Sequence, residues 1–292
     1  MKFLFCYSGL GNIGDDLMFK GLVNNYEPGT YICRTKQYKI KDELETKGSF
    51  DYFIQSIKSH EFMIVGGNIF SYERPISYGK LLNFYVIFLL RKILKKKTTV
   101  DSIGLDLNEG VVWRSIVRSI LKLADQVSIR DELSFRYLRA SGLDVKYSFD
   151  RVYRERKNIF SGLDRENSSD SIIWWVSHPA AKKNSNTYDE NKTKIIIDEY
   201  VKDSKVLFFC QEPGDVVRAN YLVKENDITE YEIRNYSYIE IDSILESFNT
   251  SKIFVTERYH GAVIAEALNI PWVSIPFSEK LNRLKPNKMK IN

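Results

Sequence analysis

Ile253-Phe254-Val255-Thr256-Glu257-Arg258-Tyr259-His260-Gly261-Ala262 reads as an apolar strand, a polar turn and the first turn of a helix. Gly261, Ala262, Ala265 and Ala267 keep that helix thin enough to lie close on a sheet, and Ile270-Pro271-Trp272-Val273 begins the next strand. Such a strand-helix-strand unit implies parallel pairing with a helical crossover. The same rhythm precedes it. Ile172 to Val176, Val206 to Cys210 and residues 230–234 read as strands, with helices over 189–201, 215–224, 238–248 and 261–268. It also fills the first half, with strands at 2–7, 30–34, 61–65, 98–105 and 126–130 and helices at 15–25, 49–58, 78–96, 112–123 and 131–141. Between the halves, residues 151–170 are charged and small, without a sustained apolar period, and read as a linker. The expected fold is α/β: two Rossmann-like doubly wound domains, 1–150 and 171–292, facing each other across a cleft.

The 292 residues are 43% hydrophobic and 28% charged, which excludes disordered, collagen-like and coiled-coil classes. A net charge of +5, from 43 basic and 38 acidic residues with both signs interspersed, gives no basic stripe for nucleic acid. Cys6, Cys33 and Cys210 are far apart and lie in strand-like runs, as buried thiols of a reducing compartment do. The N-terminus reaches glycines and acids too soon for a signal peptide, so a cytoplasmic location is expected. The apolar run Leu81 to Leu90 is too short to span a bilayer and reads as a helix buried on a sheet. Its basic end, Arg91 to Lys97, is either a solvated helix terminus or a peripheral contact with an anionic inner-membrane surface carrying a lipid-linked substrate.

Arg258 and His260 bracket a helix N-terminus, where free amides and the helix dipole favour an anion. Arginine there can bind bidentately, and histidine can move protons near neutral pH. Neither His60 nor His178 has comparable company. Gly9-Leu10-Gly11-Asn12-Ile13-Gly14 satisfies the dinucleotide fingerprint, but Asp15 and Asp16 follow and would repel a pyrophosphate. Asn12, Gly14, Asp15 and Asp16 therefore either bind hydroxyl groups of a polar substrate or simply open and cap a helix. Gly66, Gly67 and Asn68 close an apolar strand, as a ligand cradle or a tight turn. Arg130 ends another strand and either clamps an anion or pairs with Asp131 or Glu132. Lys280, beyond the last strand, adds a further candidate anion contact.

These segments together resemble the polysaccharide pyruvyl transferase family over about residues 1–285. The resemblance rests on Gly11-Asn12-Ile13-Gly14-Asp15, Gly66-Gly67, Arg130-Asp131-Glu132-Leu133-Ser134, Asp150, Arg258-Tyr259-His260, Pro271 and Lys280. The chain departs from the pattern at Gly66-Gly67-Asn68, where three glycines are usual, and at Arg151, where proline often follows the aspartate. The resemblance implies a GT-B-like fold and transfer of a pyruvyl group from phosphoenolpyruvate to a sugar, as a cyclic ketal, with release of phosphate. His260, Arg258 and Asp15 are then the expected catalytic residues. Asn12, Gly14, Asp16, Gly66, Gly67, Asn68, Arg130, Glu257 and Lys280 are the expected substrate contacts. The donor is a substrate, so no cofactor is expected, and one useful histidine without clustered ligands argues against a metal. A sugar or glycan acceptor, lipid-linked or free, is the expected partner. Two rivals share the fold: a nucleotide-sugar glycosyltransferase, and a non-catalytic glycan-binding subunit.

Overall fold

Phe3, Leu4 and Phe5 are buried on both faces of β1 (Lys2–Phe5), as in the centre of a parallel sheet covered on both sides. In the computed structural model the described residues are 1–5, 11–27, 30–33, 44–67, 69–70, 78–105, 107, 110–163, 170–177, 190–202, 204–237 and 240–275. They form two units, Met1–Leu10 with Asp15–Glu155, and Gly11–Gly14 with Arg156–Asn292.

In the first unit β1 is followed by α1 (Ile13–Val23), β2 (Tyr31–Cys33), β3 (Leu44–Glu45), α2 (Ser49–Lys58) and β4 (Glu61–Val65). Then come α3 (Tyr78–Ile93), β5 (Lys97–Ile103), α4 (Val111–Leu123), β6 (Gln126–Ile129), α5 (Glu132–Ala140) and β7 (Lys146–Tyr147). The strands lie in the order β3-β2-β1-β4-β5-β6-β7, all parallel. Strand order reverses between β1 and β4, so Gly66 and Gly67 end the strand at the switch point, where open α/β sheets bind ligands. Leu81, Phe84, Phe88, Trp113 and Val117 of α3 and α4 bury one sheet face, and Phe19, Leu22 and Val23 of α1 bury the other.

The second unit contains β8 (Ile172–Trp175), α8 (Glu190–Ile196) continued by a π turn (Ile197–Val201), β9 (Val206–Cys210) and α9 (Pro213–Glu225). After these come β10 (Tyr231–Asn235), α10 (Ile241–Asn249), β11 (Ile253–Thr256), α11 (Tyr259–Ala267) and β12 (Trp272–Ser274). Its parallel order, β10-β9-β8-β11-β12, places the switch point between β8 and β11.

The expected strands and helices recur within a few residues. Sequence reading missed β3 and β7, two-residue edge strands too short to show a period. The stretch 151–170 read as a linker without an apolar period. Two short helices stand in its first part, α6 (Arg151–Arg154) and α7 (Arg156–Ile159), with Val152, Ile159 and Phe160 buried. Asp150 caps α6 by accepting from the Val152 amide at 3.0 Å. Asp101, buried at a β5 irregularity where Ser102 has φ 55°, accepts from Arg151, from Arg154 at 2.6 and 2.8 Å, and from Ser128 Oγ at 2.7 Å. Burial pushes the Asp101 carboxyl up, but the two arginines and Ser128 outweigh it and hold it below the ordinary range. Charge pairing to Asp101 orders α6, and burial of Ile159 and Phe160 anchors α7. Arg151, the departure from proline, is one of the pairs.

Candidate functional site

The second unit's switch point is laced together by β11's polar turn. Thr256 Oγ1 accepts from the Arg258 amide at 3.1 Å and donates to the Arg258 carbonyl at 2.8 Å, which fixes the turn into α11. The helix then lies on the sheet at glycine distance: a Cβ on Gly261 would fall 2.2 Å from Thr256 Oγ1 and 2.8 Å from the Trp175 ring. The small-residue helix expected from sequence is thus packed against β8 and β11 at its first turn.

Arg258 is the N-cap residue of α11, its side chain about 19% exposed. Nη2 lies 2.8 Å from both Asp215 oxygens, Nε donates to the Val176 carbonyl at 3.2 Å, and Nη1 is 3.7 Å from Glu212. Asp215 is wholly buried and also accepts from the amides of Gln211 and Glu212, at 2.9 and 3.1 Å. Sequence reading did not assign it a role. Its signal was the capping box Glu212-Pro213-Gly214-Asp215 at the start of α9.

Glu257 does not stand open to substrate, as expected, but is about 1% exposed. It crosses the switch point, accepting from the Ser177 amide at 2.9 Å and Trp174 Nε1 at 3.2 Å, with Arg218 Nε 3.9 Å away. Burial pushes its carboxyl up to about 7, outweighing Arg218 and the two N–H donors. A carboxyl raised from about 4.5 to about 7 holds a proton in the folded chain that the unfolded chain has released. Its stabilising contribution is therefore complete below about pH 4.5 and lost as pH rises through about 7. Melting temperatures of the wild type should fall across that interval, and Glu257→Gln should flatten the slope. An equal slope in the variant would show that Glu257 does not titrate there.

His260 is the second residue of α11, its ring 5.5 Å from the Tyr259 ring. Gly14 belongs to the same unit and lies directly against it: a Cβ there would fall 2.0 Å from His260 Nδ1. Asn12, expected to meet hydroxyl groups, accepts from the Gly14 amide at 3.0 Å and so caps α1. Asp15 and Asp16 occupy the first turn of α1 and are buried, Asp16 completely, so the capping role weighed for them falls to Asn12.

In the first unit Gly66 and Gly67 have φ of 60° and 70°, a left-handed turn that glycine adopts without strain. A Cβ on Gly66 would meet Met18 Sδ at 2.3 Å, so this turn also seats α1. Arg130 is not an open anion clamp: it is buried and paired to Asp150 at 2.6 Å. The partner is neither Asp131, which caps α5 through the Ser134 amide, nor Glu132, which pairs with Arg136. Asn68, Lys280, His178 and Cys6 lie outside the described residues. Burial raises the Cys210 thiol to about 12, which leaves it inert as a nucleophile. Among the described residues, no three His, Cys, Asp or Glu side chains gather as metal ligands.

Two parallel α/β units with polar turns at their switch points define a GT-B-like protein. The fold is similar to UDP-GlcNAc 2-epimerase from Methanocaldococcus jannaschii, with TM-score 0.55, 12% identity, and 94% of this chain and 83% of that chain covered. It is also similar to UDP-GlcNAc 2-epimerase from Neisseria meningitidis bound to UDP-GlcNAc, with TM-score 0.54, 10% identity, and coverage of 94% and 82%. At such identity the likeness is one of fold. No curated protein matches the sequence. The chain matches the polysaccharide pyruvyl transferase family over residues 12–279 and belongs to it. It is an enzyme of that kind, a transferase of polysaccharide biosynthesis.

Proposed function

We propose that this enzyme transfers the pyruvyl group of phosphoenolpyruvate to a sugar of a surface glycan or its precursor, closing a ketal across two hydroxyls. One observation carries the assignment of residues: Arg258 and His260 open α11 at the second sheet's switch point, with the bare backbone of Gly14 against the His260 ring. Phosphoenolpyruvate brings a carboxylate and a phosphate. Arg258 answers one of them, and the amides and dipole at the start of α11 answer the other. Arg130, buried as well as paired to Asp150, drops out of that role, whereas Arg258, although paired to Asp215, keeps about 19% of its side chain exposed.

His260 gives a proton to the methylene carbon, which becomes a methyl group and leaves its neighbour oxocarbenium-like. One acceptor hydroxyl adds there, the second displaces phosphate, and the ketal closes. Of the two hydroxyl protons, one replaces the proton His260 gave and one leaves with phosphate. Asp15 is the base that takes the first hydroxyl proton and hands it on to the phosphate, and the fully buried Asp16 holds the first turn of α1. The scheme needs neither metal nor organic cofactor. A donor made in the cytoplasm places the reaction on that side of the membrane, with the acceptor sugar free or on a lipid carrier.

Phosphoenolpyruvate should raise the melting temperature with the logarithm of its concentration, equivalent to about 2.7 kcal/mol at a hundredfold excess over Kd. The shift should vanish in Arg258→Ala. With a glycan acceptor, one phosphate should be released per ketal. A shift with a uridine, guanosine or cytidine nucleotide and none with phosphoenolpyruvate would replace this reading with a nucleotide-sugar glycosyltransferase.

A further inference from the structure

We propose that the α3–α4 face of the first unit docks on an anionic lipid bilayer. Leu81, Phe84, Ile87 and Phe88 turn α3 onto the sheet, so the opposite positions should be polar in a helix exposed to water. They are not: Tyr78, Leu82, Tyr85 and Ile93 are exposed on α3, Leu82 to 61% and Ile93 to 67%. At the start of α4, Val111 is 70% and Val112 66% exposed. The Tyr78 ring meets the Trp113 ring edge-on at 5.6 Å, which brings the first turns of the two helices together, so that the exposed Tyr78 and Leu82 of α3 and Val111 and Val112 of α4 stand at neighbouring helix starts.

Charge identifies what covers this face. The chain carries 38 acidic residues, yet none occurs from Arg74 to Val100 or from Gly110 to Ala124. The same two stretches hold ten lysines and arginines, of which Arg91 is buried and takes no part in the face. Some have partners within the unit, such as Lys92 with Asp125 and Lys97 with Glu61. Lys80, Lys95, Arg118 and Lys122 have no carboxylate partner among the described residues. Two copies of such a face would repel each other, whereas a surface of anionic headgroups attracts it. At 16 residues α3 is about 24 Å long, and no helix among the described residues is long and apolar enough to cross a membrane. The geometry is that of a helix lying in the interface, apolar side chains among the acyl chains and basic ones at the headgroups.

Helices that follow parallel strands start at the strands' carboxyl edge, so these helix starts lie at the same end of the unit as Gly66 and Gly67. Docking by this face brings that end of the unit to the bilayer.

The test is flotation of the full chain with vesicles of phosphatidylcholine alone and of phosphatidylcholine mixed with phosphatidylglycerol. Binding should be at least about tenfold greater to the mixed vesicles and fall steeply as salt is raised. Leu82→Glu with Val112→Glu should cut the bound fraction about tenfold or more, while the melting temperature and turnover of a water-soluble acceptor stay unchanged. Equal binding to both vesicles, no binding, or binding untouched by the two glutamates would overturn the proposal. A dimer in light scattering that Leu82→Glu dissolves, with no vesicle binding, would assign the face to a second copy instead. Should the double variant misfold, the lipid preference and salt dependence of the wild type still decide the matter. Flotation uses neither donor nor acceptor, so its failure leaves the transfer reaction standing, and the reverse holds.

Discussion

Alanine at position 14 should lower turnover at least about a hundredfold, the scale of losing a general acid. In an isolated helix the change from glycine to alanine stabilises by about 0.5 to 1 kcal/mol. Here the added Cβ would stand 2.0 Å from Nδ1 and 2.1 Å from Cγ of His260, so the ring or the start of α1 must move. His260→Ala should cost a similar factor and free the space. Gly14→Ala combined with His260→Ala should then be no slower than His260→Ala alone, because both changes remove one interaction. Gly110, where a Cβ meets nothing within 4 Å, supplies a control expected to be neutral. The measurements are initial rates of phosphate release and the melting temperature of each variant. A fully active Gly14→Ala enzyme would show that the His260 ring position is not used in the reaction.

Arg91→Met should be the most destabilising single substitution among the side chains discussed, by about 3 to 5 kcal/mol, the scale of breaking a buried charge network. Arg91 is fully buried on α3 without a carboxylate partner within hydrogen-bond reach. Its guanidinium donates to the carbonyls of Ser56, Ser59, His60 and Lys97 and to Thr98 Oγ1. One side chain thereby serves the end of α2, the start of β4 and the start of β5. Burial lowers its pKa to about 10, so it stays charged at neutral pH. Methionine keeps much of the stem's volume but leaves those carbonyls unsatisfied, at about 1 to 3 kcal/mol each before relaxation. Chemical denaturation should show the loss in midpoint, with Arg91→Lys intermediate because an ammonium has fewer donors and no planar fork. A melting temperature unchanged in Arg91→Met would mean that the carbonyls find other partners.

The alternation of apolar runs with helical periods determined the two parallel sheets, because strand and helix signals depend on neighbours only a few residues apart. It also placed Arg258 and His260 at a strand's carboxyl end and Gly66-Gly67 at another. What charged groups do there was decided by tertiary structure. Arg130 faces Asp150, 20 residues away, not its neighbours Asp131 and Glu132. Arg258 is held by Asp215 across 43 residues, and Asp101 anchors Arg151 across 50. Glu257, which reads as an open polar residue in a turn, is sealed beneath Ser177 and Trp174 of the neighbouring strand's end. Gly14 reads as part of a hydroxyl-binding or helix-opening turn until His260 is seen against it. Local sequence carries the propensity of each segment, whereas strand order decides which carboxylate meets which guanidinium, and only the assembled sheets set that order.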